Sequence, residues 1–306
     1  MSVLSLILAL GLEQIRPVPW RQHVEALLAW LARSVAAWYD DGSAVTGRVA
    51  WLLVIGGAGL AVWLAHAVLL ALHPLLAFCF DTVVLYVLIG FRWHEKQYAD
   101  IHLALSMGRT DEARAHLEAW RGVGHAEASA TEVARLAIEQ ALVTGHRVVF
   151  GPLVWFVLLP GPVGIVIYRL AVHLARAWGR AGEGGDFGAF ARTAFGWIDW
   201  VPVRASAIAF SLIGHFERAM ECWRTQAPLW HDRSVGILLA AGGGALGVRL
   251  GLPVRADGLM VERPAMGGEA RADAGCMQKT NTLLWRVLVL YVLVLVLLAI
   301  ALRAGS

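Results

Sequence analysis

The sequence predicts an all-α, polytopic membrane protein with a cytoplasmic helical layer and a re-entrant segment. Three observations carry this reading. Of the 306 residues, 58% are hydrophobic and 16% charged, and the mean hydropathy is +0.61. A soluble domain sits nearer half apolar and about a quarter charged. Several apolar runs reach the roughly 20 residues that a helix needs to cross the hydrocarbon. No stretch alternates with a period of two, so nothing reads as strand.

Residues 1–50 hold an apolar opening, MSVLSLILALGLEQI, followed by an amphipathic helix. The opening has no basic start and no small-residue cleavage site, so it reads as a retained segment and not a signal peptide. Residues 51–91 form a transmembrane hairpin. Trp51–Leu72 is long enough to cross, and Leu75–Phe91 returns after His73-Pro74, because proline cannot continue the first helix. Residues 92–147 are polar and read as three helices. Tyr98, Ile101 and Leu105 share one face, Thr110 stands as an N-cap, and Ser129 with Glu132 three residues on forms a capping-box pattern.

Residues 148–281 form a broken, membrane-associated core. Val148–Trp178 is interrupted by Pro160-Gly161-Pro162, so two half-helices entering from one side compete with a kinked span. Ser234–Gly251 is short and glycine-rich. Its Gly242-Gly243-Gly244 run lacks the Gly-Lys-Ser of a phosphate loop and points to close helix packing. Residues 282–306 supply a last transmembrane helix, Thr282–Leu302. If Trp51–Phe91 is a hairpin, Arg16, Arg21, Arg33 and Arg48 share a side with Arg92 and Lys96, and that side is cytoplasmic by the positive-inside tendency. Arg176, Arg180, Arg192, Arg255, Arg263, Arg271 and Lys279 join them only if Val148–Trp178 is re-entrant or crosses twice. The expected location is the bacterial inner membrane.

The charge pattern excludes some partners. With 26 Lys+Arg against 23 Asp+Glu and no basic block, nucleic acid is not expected. Cys79, Cys222 and Cys276 are odd in number and widely spaced, forming neither a metal motif nor a disulfide framework. His94, His102 and His116 lack the four-residue spacing of a helical zinc pair, so no metal is expected. The lipid bilayer is the expected partner; a small anionic ligand and a homo-oligomer stay open, and no cofactor is assigned.

The runs ALSMGRTDEARAHLEAW, ATEVARLAIEQAL, FGPLVWFVLLPGPVGIVIYRL and GALGVRLGLPVRADGLMVERP, in that order, resemble the CobD/CbiB family of cobalamin-biosynthesis membrane proteins. DWVPVRASAIAFSLIGHFERAM is similar to the AmpE branch of that superfamily, which is linked to signalling. The resemblance covers about Leu8 to Asn281 and implies the helical membrane fold. It implies for the enzymes an ATP- and Mg²⁺-dependent amide-forming step on adenosylcobyric acid. Three polar runs of those enzymes are replaced here. ALVTGHRVVFGPLVW carries Thr144, Gly145, His146 and Arg147 where an acidic Glu-Asn-Thr-x-Asp-Gly run is expected. RGVGHAEAS stands for Gly-Arg-Asp-Thr, and LAVHLARAWG for Asn-Thr-Leu-Asp. Mg²⁺ chemistry on a nucleotide uses such acids. The expectation is therefore a regulatory or ligand-sensing member without the synthase reaction. The competing class is a cobalamin-pathway enzyme drawing acids from other positions, such as Asp81, Asp199 and Glu139.

Four residues stand out as ligand-binding candidates: Arg204, Asp199, Asp81 and His66. An arginine in or at the membrane costs roughly 2.5–3.5 kcal/mol on insertion scales, so Arg204 needs a partner or a water path. An anion at a cavity competes with an interfacial salt bridge to Asp199. His66 and Asp81 lie at matching depths on the two arms of the hairpin, roughly 10 Å from its turn at 1.5 Å per residue. Pairing across the hairpin competes with separate roles for the two.

Overall fold

The computed structural model describes residues 2–15, 21–179 and 186–304. It is helical with little sheet. Arg16 and Arg180, used above for orientation, lie outside the described residues, as does the side chain of Arg21. Four stretches are long and apolar enough to cross a membrane: Ala44–Leu72, Pro74–Ser106, Ala130–Leu158 and Ala274–Ala301. Rows of exposed apolar side chains run along them, including Leu53, Leu60, Leu64 and Val68 on the first and Leu293, Leu297 and Ile300 on the last. Such rows need lipid contact.

The chain packs as two units. The first comprises Met1–Gly90, Arg147–Pro202 and Val294–Ser306. Helix α1 (Ser2–Ile15) packs on α4 (Pro74–Leu88), and α2 (Arg21–Tyr39) and α3 (Ala44–Leu72) pack on α9 (Val163–Ala177). Helix α3 starts seven residues before the Trp51 start read from sequence, because the Ser43 side chain caps Val45 N at 3.2 Å. It ends at His73, which is extended (φ −164°, ψ 133°), and Pro74 opens α4 at a position where no amide donor is needed. The core of this unit is aromatic. Trp51 meets Phe190 edge-on at 5.5 Å, Trp178 meets Phe187 at 5.1 Å with the rings tilted by 60°, and Trp178 Nε1 donates to Ala32 O at 2.9 Å. Helix α10 (Ala189–Ile198) closes this core against α3 and α9.

The second unit comprises Phe91–His146 and Val203–Leu293. Helices α5 (Phe91–Ser106), α6 (Thr110–Arg121) and α7 (Ala130–Gly145) pack together as its polar layer. Tyr98 and Ile101 of α5 are buried as their spacing predicts. Ser129 and Glu132 form the complete capping box of α7. Thr110 is not the cap of α6; Arg109 holds that place without a side-chain hydrogen bond to the helix's first amides, and Thr110 is the first helical residue. Helix α14 (Ala274–Ala304) docks on α5, where Tyr98 Oη donates to Met277 O at 2.9 Å and Trp285 Nε1 to Glu95 Oε1 at 2.9 Å.

Two features differ from the sequence reading. The third polar helix does not stop before the broken segment. It runs through a π turn, His146–Phe150, into α8 (Gly151–Leu158). Pro152 lacks an amide hydrogen and crowds the preceding turn, and a widened turn just before it relieves both problems. Four three-residue strands were also not expected: β1 (Arg249–Gly251) pairs antiparallel with β4 (Ala265–Gly267), and β2 (Val254–Ala256) with β3 (Leu259–Val261). Runs of three are too short for a period of two to register. The Asp257-Gly258 turn, with both residues at positive φ, sets the β2–β3 hairpin.

Helix α11 (Trp200–Ile213) leads to α12 (Phe216–Gln226), which packs on α13 (Arg233–Leu246). The glycines of α13 are there for contact. A Cβ on Gly242 would meet the Leu142 side chain at 2.7 Å, one on Gly243 the Gly267 Cα at 2.8 Å, and one on Gly244 the Ala219 Cα at 2.8 Å. Overpacking of this kind typically costs about 1–3 kcal/mol. Gly244→Ala is therefore expected to lower the thermal unfolding midpoint of the detergent-solubilised protein. Gly57→Ala, where nothing lies within 4 Å, should leave it unchanged or raise it. Equal midpoints for the two variants would show that α13 is not closely packed.

Candidate functional site

Polar groups buried in an apolar fold need partners, so the candidate site is built from those partnerships. In the first unit the hairpin brings His66 and Asp81 together, with His66 Nδ1 2.8 Å from Asp81 Oδ1 and the side chains 16% and 5% exposed. The short turn at His73 forces α3 and α4 to be neighbours, and the matched depth does the rest. The backbone at Gly161 (φ +60°) presses on the imidazole, where a Cβ would stand 2.8 Å from His66 Nδ1. The Pro160-Gly161-Pro162 break is thus shaped against this pair.

Asp199 is fully buried at the end of α10 and accepts the Tyr168 hydroxyl on Oδ1 at 2.7 Å. Tyr168 is also fully buried, and its electrostatic neighbours besides Asp199 are Arg147 and Arg169. Arg147 places its guanidinium 5.6 Å over the Phe195 ring. Helix α9 presents Arg169, His173 and Arg176 on one face, and Glu25 of α2 neighbours His173 and Arg176. Sequence reasoning missed this basic face. The signal was present in YRLAVHLAR, whose charged positions are spaced by four and then three. Arg204 belongs to the second unit, where it is half-buried on α11 with Arg233 as its electrostatic neighbour.

In the second unit Glu139 is the centre. Its carboxylate is 4% exposed and accepts Arg263 Nη1 at 2.8 Å and the amide of Gly251 at 2.8 Å. Arg263 also donates Nε to Leu252 O and Nη2 to Gly251 O, both at 3.0 Å, and lies 5.5 Å over the Trp230 ring. The pair clips the β1–β2 turn to α7. Arg121 and Arg135 stand in its field. Burial lowers the pKa of Arg121 at the end of α6; Glu139 opposes that shift and Arg263 adds to it.

The run 144–147, where the resemblance implied acids, holds other chemistry. Thr144 Oγ1 accepts from Gln140 Nε2 at 3.2 Å, and fully buried His146 places Nδ1 2.8 Å from Ser206 Oγ. Ser206 Oγ in turn lies 3.3 Å from Tyr291 Oη. Among the described residues no group of three or more His, Cys, Asp or Glu could hold a metal ion. Asp81, Asp199 and Glu139 already bind a histidine, a tyrosine and an arginine. A donor set committed in this way does not fit Mg²⁺, which takes one or two open carboxylates together with substrate phosphates.

The His66–Asp81 contact is open to direct measurement. Asp81→Asn and His66→Ala are each expected to lower the unfolding midpoint. The double change should cost less than the two singles summed, with a coupling of about 0.5–3 kcal/mol. Additive losses would show that the two side chains do not act as a pair. Gly161→Ala should mimic the single changes by displacing the imidazole.

Comparisons with known proteins place these features in a family. The chain matches the CobD/Cbib protein family over residues 6–302. It is 33% identical over 301 residues to "Cobalamin biosynthesis protein CobD" of Stutzerimonas stutzeri (strain A1501), covering 96% of this chain and 97% of that one. It is 34% identical over 271 residues to the protein of the same name in Chromobacterium violaceum, covering 87% of this chain and 86% of that one. The counterpart in Photorhabdus laumondii is 26% identical over 267 residues, covering 84% of this chain and 82% of that one. No solved structure matches the chain. An all-helical membrane protein whose match extends from its first helix into its last belongs to the CobD/Cbib family.

Proposed function

We propose that this protein acts in cobalamin biosynthesis, embedded in the bacterial inner membrane with its polar helical layer toward the cytoplasm. The observation that carries this reading is the extent of the likeness to the Stutzerimonas protein, which covers nearly the whole of both chains. The reaction proposed is the amide-forming step of the adenosylcobinamide-phosphate synthase type. Glu139, held by Arg263 and Gly251, is the carboxylate best placed by burial and by its arginine neighbours to take part. This reading displaces the regulatory expectation drawn from the sequence.

One observation favours a second reading, in which the chain senses a ligand in the manner of the AmpE branch. Thr144 and His146 stand where the enzymes have their acidic run, and both are bound to neighbouring side chains. Complementation separates the two. Expression in a strain lacking the authentic synthase is expected to restore cobalamin synthesis, and Glu139→Gln to reduce it by about tenfold or more. If the wild-type chain reaches the membrane in normal amount and restores nothing, the sensing reading replaces the synthetic one.

A further inference from the structure

The β2–β3 hairpin ends in apolar side chains that the fold leaves uncovered. Leu259 is 73% exposed and Met260 59%, and Val261 beside them is exposed as well. Successive residues of a strand point to opposite faces, so both faces of β3 are apolar and open. Among the described residues β3 has no strand on its outer edge. Edges that face water are normally blunted by charge or proline, and Leu259–Val261 carries neither.

Contacts within the second unit give the height of this hairpin relative to the bilayer. On α14 the exposed residues change from Gln278, Lys279 and Thr282 to Val289 and Leu293 across Trp285 and Arg286. Tryptophan and arginine suit headgroups, so the bilayer boundary lies at that pair. Trp285 Nε1 donates to Glu95 and its ring meets Phe91 at 5.0 Å, whereas Tyr98 reaches back to Met277. Helix α5 therefore runs antiparallel to α14, away from the bilayer. Helix α6 comes back: Trp120 Nε1 donates to His94 Nδ1 at 3.0 Å, next to Glu95, which returns the last turn of α6 to the boundary. The hairpin turn is fastened just beyond it. Gly124 N donates to Asp257 Oδ1 at 2.8 Å, and Asp257 N to Gly124 O at 3.0 Å. Arg255 is tied to His125 and Glu127, and Ala128 lies beside Arg114, about 9 Å back along α6 from Trp120. The strand β2 thus descends from the outer side of the polar layer, and its turn sits at headgroup level.

We propose that the tip of this hairpin, Leu259 with Met260, is a lipid-interface anchor seated among the headgroups of the leaflet that α14 enters. An apolar tip at the height where α14 begins to face lipid continues the lipid-facing surface of this unit. Headgroup depth also accounts for the open edge, since water there can meet the N–H groups of β3, which hydrocarbon cannot. At the other end of the hairpin, Arg255 is held by the exposed Glu127 and stays in water. The same hairpin joins Leu252 to Arg263, whose guanidinium holds both Glu139 and the Leu252 carbonyl. Lipid contact at the tip steadies the segment that carries the partner of Glu139, in a synthase or a sensor equally.

The test is power-saturation electron paramagnetic resonance on the full chain in nanodiscs of phosphatidylcholine and phosphatidylglycerol, one chain per disc. A nitroxide is attached at Leu259→Cys in a Cys79→Ser background, because Cys79 is the exposed native thiol. The control is a nitroxide at Leu103→Cys: Leu103 is 53% exposed but stands about 12 Å beyond Glu95 on α5, on the side away from the bilayer. The label at 259 is expected to gain oxygen collisions and lose collisions with a water-soluble nickel chelate, and the label at 103 to show the reverse. Should Leu259→Cys fail to fold, Met260→Cys is read in the same way. Nickel accessibility at 259 equal to that at 103 would mean a solvated tip and overturn the proposal. Shielding from both reagents would mean that protein covers the tip. A label that is open to nickel in one-chain discs and shielded from both reagents only in two-chain discs would identify a second copy as the occupant. Either of these two results also overturns the lipid anchor.

Discussion

A carboxylate that leaves water must take its hydrogen-bond donors with it, and in the second unit that demand falls on Glu139. Its two oxygens join α7 to Arg263, which lies beyond the β2–β3 hairpin, and to the backbone of Gly251. Buried ion pairs of this kind add little net stability over an apolar isostere, but removing one partner leaves a costly charge behind. The contact therefore works by excluding alternatives. With Glu139 paired, the loop Leu250–Pro264 has one register on α7, and the arginines around it are fixed in place. The same rule recurs in the first unit, where Asp81 meets His66 and Asp199 meets Tyr168. In these two pairs of the first unit the partner comes from another helix, so charge satisfaction and helix packing are one constraint there.

Much of the architecture was legible in local sequence because its causes are local. His73-Pro74 dictates a tight break, Ser129 and Glu132 dictate a helix start, and the apolar runs dictate crossings. The meeting of His66 with Asp81 could be anticipated because a tight turn and a fixed rise leave few places for the two side chains. Contacts across long separations were not legible. Glu139 and Arg263 are 124 residues apart, and Tyr168 and Asp199 are 31 apart. Neither spacing nor composition distinguishes those arginines and acids from others on the chain. The short strands escaped for a different reason: runs of three residues are too short for a period of two to register. The π turn escaped because no composition marks it; only Pro152 hinted that the helix needed relief.

The functional outcome turns on how the departures from the family's polar runs are weighed. Taken alone, the loss of acids at 144–147 argues against nucleotide-dependent amide formation. Set against a family match that runs through nearly the entire chain, the same departures read as a change in how charge is balanced. His146 and Arg147 stand in the run where the resemblance implied acids and an amide.

The three consecutive glycines of α13 bear on how the chain is made. Successive residues of a helix point about 100° apart, and Gly242, Gly243 and Gly244 are each pressed by a different neighbour: α7, β4 and α12. Three glycines weaken an isolated helix by roughly 3 kcal/mol relative to alanine, so α13 has little reason to form by itself. One of its three walls, at Gly267, lies downstream of it in the chain. While the ribosome is still translating the residues between them, α13 lacks that wall and remains unfinished. Closure of this unit must therefore wait until synthesis has passed Gly267, which makes it a late and cooperative event in the protein's biogenesis.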